Sequence, residues 1–288
     1  MEPNVLTDII LPIALAIIML GMGLSLVIDD FKRVLLYPKA VSIGLINQLL
    51  ILPIVGFGLA SLFPIKPELA VGLMILAACP GGVTSNLISH VSKGDTALSI
   101  TLTAISSLLT ILTIPFIINI GLEQFMEEGK EIHLDVVKTI KTIVAITILP
   151  VSIGMLIRAK ASSFAQKMDK PVKITSTIFL VLIIAGIILK EKENILSFFQ
   201  QVGLISLSLN ALTMLIGFYS AKIFKLNLAQ SISVSIESGV QNGTLGIFIA
   251  LSILKNSEMS ITPAIYSLVM FGTAGFMMYY FGRRSSSN

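Results

Sequence analysis

Residues 79–86 read Cys79-Pro80-Gly81-Gly82-Val83-Thr84-Ser85-Asn86 and interrupt a long apolar segment of this 288-residue chain. Proline and glycine break helices, and the hydroxyl and amide groups after them can bind ions. A second interruption, in another apolar segment, reads Glu237-Ser238-Gly239-Val240-Gln241-Asn242-Gly243. Irregular backbone at membrane depth is tolerated only where it is buried in protein or lines a cavity. Two interrupted segments in corresponding places of two halves indicate a transporter's binding site.

The composition predicts an all-α polytopic membrane protein embedded in a lipid bilayer. Hydrophobic residues make up 55% of the chain, charged residues make up 12%, and the mean hydropathy is +0.93. Soluble domains carry about 25% charged residues.

The basic residues are scattered over short loops, which argues against nucleic acid as a partner. The chain has one cysteine and hence no disulfide framework. Because the first residues lack the basic region of a cleaved signal peptide, we expect the first apolar stretch to stay in the protein as a transmembrane span.

Apolar segments long enough to cross a bilayer predict nine transmembrane helices, since each crossing needs about 20 residues. The third and eighth segments contain the two interruptions. The nine segments are 6–28, 39–63, 68–92, 96–121, 139–159, 172–189, 202–223, 228–254 and 262–282.

The distribution of lysine and arginine predicts the orientation in the cell's inner (plasma) membrane. With the N-terminus outside, thirteen of the twenty basic residues lie on the cytoplasmic side and seven lie outside. The positive-inside rule favours this arrangement. We therefore expect the N-terminus outside and the C-terminus in the cytoplasm.

Glu237 is the acidic residue that the span assignment places well inside an apolar segment. Of the sixteen acidic residues, the other fifteen fall in loops or near segment ends. An acidic side chain at the centre of a membrane helix costs about 2.5–3.5 kcal/mol on insertion scales, so such residues are candidates for function. The alternative is a protonated, hydrogen-bonded glutamate with a structural role.

The chain divides into two related halves, 1–121 and 139–288, joined by an acidic connector at 122–138 that we expect outside the cell. Each half carries its interrupted helix as the second-to-last span, at 68–92 and at 228–254. Four spans precede the connector and five follow it, so the halves have opposite orientations, as an inverted repeat requires. Both interruptions are then expected to cross near the middle of the bilayer.

The chemistry of such a crossing favours a cation. Each interruption leaves free carbonyl groups at the end of one half-helix and free N–H groups at the start of the next. Carbonyl ends suit a cation, and N-terminal ends suit an anion. Serine, threonine, asparagine, glutamine and carboxylate oxygens suit an alkali or alkaline-earth ion. The residues therefore predict a monovalent cation that is transported together with an anionic substrate.

The same motifs resemble those of the bile acid:sodium symporter family, in which bacterial and apical or hepatic members are known, and the resemblance spans nearly the whole chain. Its members include nine-helix proteins, and nine helices are implied here. The resemblance also implies a panel, formed by the segments 6–28, 139–159 and 172–189, that moves against a core of the other six. The matching residues are Cys79-Pro80-Gly81-Gly82, Ser85-Asn86, Gly94-Asp95, Leu98-Ser99, Thr103, Glu237 to Asn242, Met19 to Leu24 and the stretch from Gln48 to Pro53.

The resemblance implies two sodium sites. Every side-chain type that the family pattern needs is present, and Ser99 and Thr103 are four residues apart, on one helix face. The alternative for these two hydroxyl groups is an ordinary bond to the helix backbone. The first site comprises Ser85, Asn86, Ser99, Thr103 and Glu237, and the second comprises Gln48, Glu237, Ser238, Val240 and Gln241, with Ser238 and Val240 acting through backbone carbonyls.

For the substrate, the expected contacts are Thr84, Asn242, Val83 and Gly239, together with N–H groups after each interruption. The resemblance implies a sodium-coupled import of an organic anion, bile-acid-like, pantoate-like or a keto acid, by alternating access with two sodium ions per substrate. Some bacterial members carry threonine where this chain has Val83, and polar residues in the last helix where it reads Met270-Phe271-Gly272-Thr273. These departures remove hydrogen-bonding groups. We expect the transporter to be a monomer.

Three alternatives remain open from the sequence. A proton-coupled anion carrier would use Glu237 to bind a proton instead of sodium. An intramembrane enzyme would need a nucleophile and a base, and Cys79 and His90 are the available pair. Both residues are also explained without a catalytic role, Cys79 as a small buried thiol and His90 as a histidine at the end of a loop. A receptor or channel would not accumulate a substrate. We therefore expect a transporter and no enzyme activity.

Overall fold

The computed structural model describes residues 9–126, 133–190 and 192–283. Over these residues the secondary structure is helical, apart from an isolated antiparallel bridge between Gly81 and Gln241. The first seven helices are α1 (Leu11–Ser25), α2 (Ile28–Leu36), α3 (Pro38–Ile46), α4 (Leu52–Leu62), α5 (Pro67–Ala78), α6 (Thr84–Val91) and α7 (Thr96–Phe125). The remaining seven are α8 (Val136–Ile143), α9 (Leu149–Lys160), α10 (Ser162–Lys190), α11 (Ile195–Ile223), α12 (Leu228–Gly239), α13 (Gly243–Phe248) and α14 (Ile261–Gly282).

The helices confirm the prediction of an all-helical membrane protein. Within the described ranges, six helical segments are long and apolar enough to cross a membrane, or seven if the bent pair α1–α2 is one span. The two interrupted segments fall outside this set because each consists of shorter helices. The count of nine spans therefore stays a prediction.

The chain bends by 65° between α1 and α2, where the sequence predicted one span over 6–28 followed by a loop. Residues 6–8 of that span lie outside the described residues. Asp30 explains the new helix, because its carboxylate accepts a hydrogen bond from the Val27 backbone N–H (2.8 Å) and pairs with Arg33 (2.7 Å). A side chain that satisfies a free backbone N–H stabilises the start of a helix.

Three other segments differ from their predicted bounds by four residues or more. The helix predicted over 202–223 begins seven residues earlier, at Ile195. The helix predicted over 172–189 begins ten residues earlier, at Ser162, and contains Pro171 in its interior. Proline usually ends a helix, so the pattern placed the start after it. The helix predicted over 96–121 continues to Phe125. Residues 127–132 of the predicted acidic connector lie outside the described residues.

Wide π-helical turns interrupt two of the spans. One covers Asn47–Ile51 between α3 and α4, and another covers Val144–Ile148 between α8 and α9. A proline follows each turn, Pro53 in α4 and Pro150 in α9. Because proline has no N–H group to complete the normal ladder, the preceding carbonyls shift to wider bonding. The first turn contains Gln48, which it directs into the protein.

Helices α1, α9 and α10, which we call the panel, pack against one another. Gly23 of α1 lies against the Val151 backbone, and Gly154 of α9 lies against the backbone of α1, so these two helices approach closely. Small residues allow such contact between membrane helices. The helices α3–α7 and α11–α14, which we call the core helices, enclose both interruptions. Contacts between the two groups include α1 with α13 and α10 with α14.

Candidate functional site

The two interruptions lie side by side in the core. The Gly82 N–H donates to the Val240 carbonyl, and the Asn242 N–H donates to the Pro80 carbonyl, both at 2.9 Å. These two bonds form the antiparallel bridge between Gly81 and Gln241. Buried backbone groups need partners, and each interruption supplies them for the other. The pairing therefore holds four half-helix ends, from α5, α6, α12 and α13, around one point.

Glycine is required where the two interruptions touch. A Cβ atom on Gly81 would lie 2.6 Å from Oε2 of Glu237, and one on Gly82 would lie 2.9 Å from the Gln241 carbonyl oxygen. Both distances are too short for a side chain. The glycines therefore let the backbone of the first interruption approach the carboxylate and the second interruption.

Three hydroxyl groups surround the Glu237 carboxylate, which is 4% exposed. Ser85 donates to Oε1, Ser99 lies 2.5 Å from Oε1, and Thr103 lies 2.8 Å from Oε2. Asn86 adds its Oδ1 atom, which lies 3.0 Å from the Ser99 hydroxyl and 3.3 Å from the Thr103 hydroxyl. The structure thus brings together all five residues of the predicted first sodium site.

This cluster contains more oxygen acceptors than hydrogens. Each hydroxyl has one hydrogen to donate. Ser99 lies within reach of both Glu237 and Asn86, and Thr103 lies within reach of those two and of the Ser99 carbonyl (3.0 Å). Within the part of the chain that the structure describes, no lysine, arginine or histidine forms an ion pair with Glu237. An oxygen-rich cluster of this kind around a carboxyl group fits a hard cation.

The predicted second sodium set is also assembled, but its groups already pair with one another. Gln48 donates from Nε2 to Oε1 of Gln241 (2.7 Å) and to the Cys79 carbonyl (2.9 Å). Gln241 in turn donates from Nε2 to the Ser238 carbonyl (2.9 Å), and the Val240 carbonyl accepts from Gly82. A cation at this set would have to replace some of these bonds. The geometry therefore favours a cation more strongly at the first set.

An open recess lies between the panel and the core helices. Of the four predicted substrate contacts, Thr84, Val83 and Asn242 line it. The panel contributes the hydroxyl-bearing Ser176 and Thr177 from α10. The wall is otherwise largely apolar, formed by Ile18, Met22, Leu87, Val172, Leu180 and Met270.

The fourth predicted substrate contact, Gly239, lies elsewhere. It packs against Met214 of α11, and its carbonyl accepts hydrogen bonds from Asn210 (2.8 Å) and from the Tyr266 hydroxyl (2.7 Å). Both donors are fully buried. The sequence analysis did not identify Asn210 or Tyr266, although a polar Asn210 between apolar residues of α11 was a usable signal.

The pair that an intramembrane enzyme would need is not assembled. The buried Cys79 thiol donates to the Ile75 carbonyl (3.2 Å). The exposed His90 lies beside Thr96, with 3.4 Å between Nδ1 and Oγ1. Each residue therefore has a local partner of its own.

Comparisons with known proteins identify a family of sodium-dependent transporters. A sequence model for the Sodium Bile acid symporter family matches residues 12–198. The chain is 32% identical over 271 residues to the Uncharacterized sodium-dependent transporter YocS of Bacillus subtilis, covering 92% of this chain and 80% of the relative. It is 29% identical over 283 residues to the Ileal sodium/bile acid cotransporter of Homo sapiens, covering 96% and 80%. It is 28% identical over 275 residues to the Probable sodium/metabolite cotransporter BASS1, chloroplastic, of Arabidopsis thaliana, covering 95% and 67%.

Proposed function

Because the chain belongs to the sodium bile acid symporter family, we propose that it is a sodium-coupled symporter that imports an organic anion by alternating access. The family resemblance of the motifs is thereby confirmed. The similar proteins are named as sodium-dependent transporters or cotransporters, so the chain is a transporter rather than an enzyme. The substrate, the number of sodium ions and the transport cycle are our proposal.

The observation that supports sodium coupling best is the excess of oxygen acceptors around Glu237. Sodium bound there by Ser85, Asn86, Ser99, Thr103 and Glu237 would balance the buried carboxylate charge. A buried charge without a partner costs several kcal/mol. The second proposed site uses Gln48, Glu237, Gln241 and the carbonyls of Ser238 and Val240. Binding there exchanges hydrogen bonds for ion contacts.

The recess between the panel and the core helices is the proposed substrate site. Thr84 and Asn242 lie at the ends of the two interruptions, and Val83 adds an apolar surface beside them. The mixed lining suits an anion with an apolar body, such as a bile-acid-like molecule or a branched organic acid. The relatives' names, sodium/bile acid cotransporter and sodium/metabolite cotransporter, fit this class.

The proposed membrane arrangement has nine spans, with α5–α6 and α12–α13 as the interrupted pair of an inverted repeat. The N-terminus lies outside and the C-terminus lies in the cytoplasm of a plasma-membrane monomer. In this orientation α6 runs from the crossing to the cytoplasm. The recess borders Leu87 of α6 and Met22 near the end of α1, which runs towards the cytoplasm in this orientation, so we place its opening on the cytoplasmic side of the crossing.

A stoichiometry of two sodium ions would provide a useful driving force. With one monoanion, one net charge moves inward, which contributes about 2.3 kcal/mol at 100 mV. A tenfold sodium gradient adds about 1.4 kcal/mol per ion, so the total of about 5 kcal/mol sustains a substrate gradient of several thousandfold. One sodium ion per monoanion would be electroneutral and sustain a gradient of about tenfold.

The test is a thermal-shift screen of organic anions on the purified protein in sodium or potassium buffer. We expect sodium to raise the melting temperature of the wild-type protein and a transported anion to raise it further. The Glu237→Gln variant, which keeps the shape but removes the charge, should lose the sodium effect. Hits are then tested for sodium-dependent accumulation in proteoliposomes.

Two outcomes would contradict the proposal. If sodium stabilises the Glu237→Gln variant as well as it stabilises the wild-type protein, the ion site lies elsewhere. If accumulation responds to a pH gradient and not to sodium, the protein is a proton-coupled carrier in which Glu237 binds the proton.

A further inference from the structure

Thr244 is a buried polar residue beside the recess that the sequence motifs did not include. It follows the second interruption, in α13, and lines the recess. Thr244 is 4% exposed, and within the described residues its hydroxyl group forms no hydrogen bond. The large majority of buried side-chain polar groups have a partner. A buried hydroxyl group that lacks one and borders an open recess indicates that a ligand supplies the missing bond.

Asn242 offers a second donor close to Thr244 in the chain. Its Oδ1 atom accepts a hydrogen bond from the Leu245 N–H (3.1 Å), which fixes the direction of the amide group. The Nδ2 atom keeps two hydrogens, and it has no partner in the part of the chain that the structure describes. Asn242 is 7% exposed and lines the same recess. One acceptor group of a ligand can therefore satisfy both side chains.

The start of α6 adds donors from the first interruption. Val83 and Thr84 line the recess, and no side chain caps this end of the helix. The first N–H groups of a helix have no partner within it, and this end carries a partial positive charge of about +0.5. A negatively charged group is favoured there. Donors from both interruptions thus lie along one recess.

The recess provides only partial charges for an anion. Among the described residues that line it there is no lysine, arginine, histidine or acidic residue. The Born cost of taking an ion out of water rises with the square of its charge, so a dianion costs about four times as much as a monoanion. Donors that compensate for one carboxylate therefore do not compensate for two.

The proposed sodium ions lead to the same charge. Two sodium ions beside the single Glu237 carboxylate leave one net positive charge behind the crossing. Gln241, which belongs to the proposed second sodium site, also lines the recess, so this charge acts on a ligand there. One negative charge in the recess balances it, whereas two leave an excess.

We propose that Thr244 and Asn242 bind the carboxylate of the transported anion, and that the recess selects monocarboxylates with an apolar body over dianions such as dicarboxylates and phosphate esters. This inference rests on the sodium-coupled transport proposed above. The carboxylate lies at the crossing, and the body of the anion lies along the apolar wall. A second carboxylate on that body would lie against Met22, Leu87 and Leu180, whose side chains offer no hydrogen bonds.

The selection is tested by thermal-shift titration of the purified protein in sodium buffer with matched pairs of anions. The pairs are butanoate with succinate, hexanoate with adipate, and phenylacetate with 1,4-phenylenediacetate. At about pH 7.5 every carboxyl group of these probes is ionised. We expect monocarboxylates to stabilise the protein, and each one that does so to bind at least about tenfold more tightly than its dicarboxylate partner.

The role of Thr244 is tested with the same probes. Thr244→Val keeps the shape but removes the hydroxyl group, and we expect about a tenfold loss of monocarboxylate affinity. Thr244→Ser, which restores a hydroxyl group, should recover most of it, and the sodium titration without anion should be unchanged in both variants. Thr110→Val is the matched control, because the Thr110 hydroxyl is also buried without a partner among the described residues but lies outside the recess.

A positive charge placed in the recess should relax the selection. Ser176 lines the panel side of the recess, so Ser176→Lys brings an ammonium group near the body of the anion. A partly exposed ion pair contributes up to about fivefold in affinity, and we expect the dicarboxylates to gain about that much relative to the monocarboxylates. An unchanged ratio would show that the charge of the recess does not set the class of substrate.

The remaining outcomes separate this inference from the proposed function. If sodium stabilises the wild-type protein but dicarboxylates bind as tightly as their partners, or no monocarboxylate binds, the substrate class is wrong and the sodium site stands. If Thr244→Val binds monocarboxylates as tightly as Thr110→Val does, Thr244 is not a ligand. If sodium does not stabilise the wild-type protein, the proposed function itself fails.

Discussion

At the scale of single residues, Glu237 is held by hydroxyl groups on two other helices rather than by neighbours on its own helix. Ser85 comes from α6, and Ser99 and Thr103 come from α7. Ion binding at this carboxylate would therefore join three helices, α6, α7 and α12. The contribution of a single hydroxyl can be measured on this arrangement.

Removal of one hydroxyl should weaken sodium binding with little change in shape. Thr103→Val deletes the group that lies 2.8 Å from Oε2 of Glu237. Hydrogen bonds to charged groups contribute about 1.5–3 kcal/mol, so we expect at least about a tenfold loss of sodium affinity. Sodium titration of the melting temperature measures this loss. The matched control is Thr113→Val in the same helix, whose hydroxyl contacts the Thr110 carbonyl (3.4 Å). Equal affinities in the two variants would contradict the proposed first site.

The glycine beside the carboxylate leads to a second prediction. Gly81→Ala places a Cβ atom 2.6 Å from Oε2 of Glu237, so the carboxylate or the interruption has to move. Overpacking of this kind costs about 1–3 kcal/mol, and we expect sodium stabilisation to be lost as well. Gly58→Ala in α4 is the control, because its added Cβ meets no atom within 4 Å. Thermal unfolding with and without sodium compares the two. A Gly81→Ala variant that keeps the full sodium response would show that the close approach is not needed.

At the scale of elements, the end of α12 is held by two helices that the motifs do not include. Asn210 of α11 and Tyr266 of α14 both donate to the Gly239 carbonyl, next to Val240 of the proposed second sodium site. They also contact each other, with 3.2 Å between Nδ2 and Oη. Buried side chains of two other helices thus help to position the second interruption.

Tyr266→Phe should loosen this end of α12. Loss of one hydrogen bond costs about 0.5–1.5 kcal/mol, and we expect weaker sodium binding because Gly239 precedes a proposed ligand. Tyr279→Phe is the control, since Tyr279 is 58% exposed and its hydroxyl accepts from Arg283. Unfolding and sodium titration are measured for both variants and for Asn210→Leu. A variant that loses stability but keeps wild-type sodium affinity would limit Tyr266 to a role in folding.

The sequence predicted some elements well and others poorly, for physical reasons. Polar residues inside apolar runs revealed both interruptions, and the spacing of Ser99 and Thr103 placed both on one face of α7. The helix α2 was missed because the pairing of Asp30 with Arg33 looks like an ordinary charged loop. Gly239 was expected near the substrate because neighbouring motif residues were. Its direction depends on Met214 and Asn210, which belong to a distant helix, so no local pattern reveals it.

At the scale of the whole molecule, the recess has two walls on different helix groups. Thr84 and Met270 belong to the core helices, and Ser176 and Thr177 belong to the panel. A substrate between these walls contacts both groups at once. If the panel moves against the core helices during transport, the distance between the walls has to change, while distances within one wall stay constant.

Crosslinking across the recess tests this movement. In a Cys79→Ala background, Thr84→Cys with Thr177→Cys places one thiol on each wall, and a short bifunctional thiol reagent should arrest sodium-dependent uptake. The matched pair, Val91→Cys with Gly282→Cys, joins α6 to α14 within the core helices and outside the recess, so it should leave uptake largely intact after the same treatment. Uptake in proteoliposomes is measured before and after crosslinking, and a reducible reagent allows recovery after reduction. If the crosslinked Thr84–Thr177 pair transports as well as the untreated protein, the panel does not move against this wall, and alternating access has to occur by another motion.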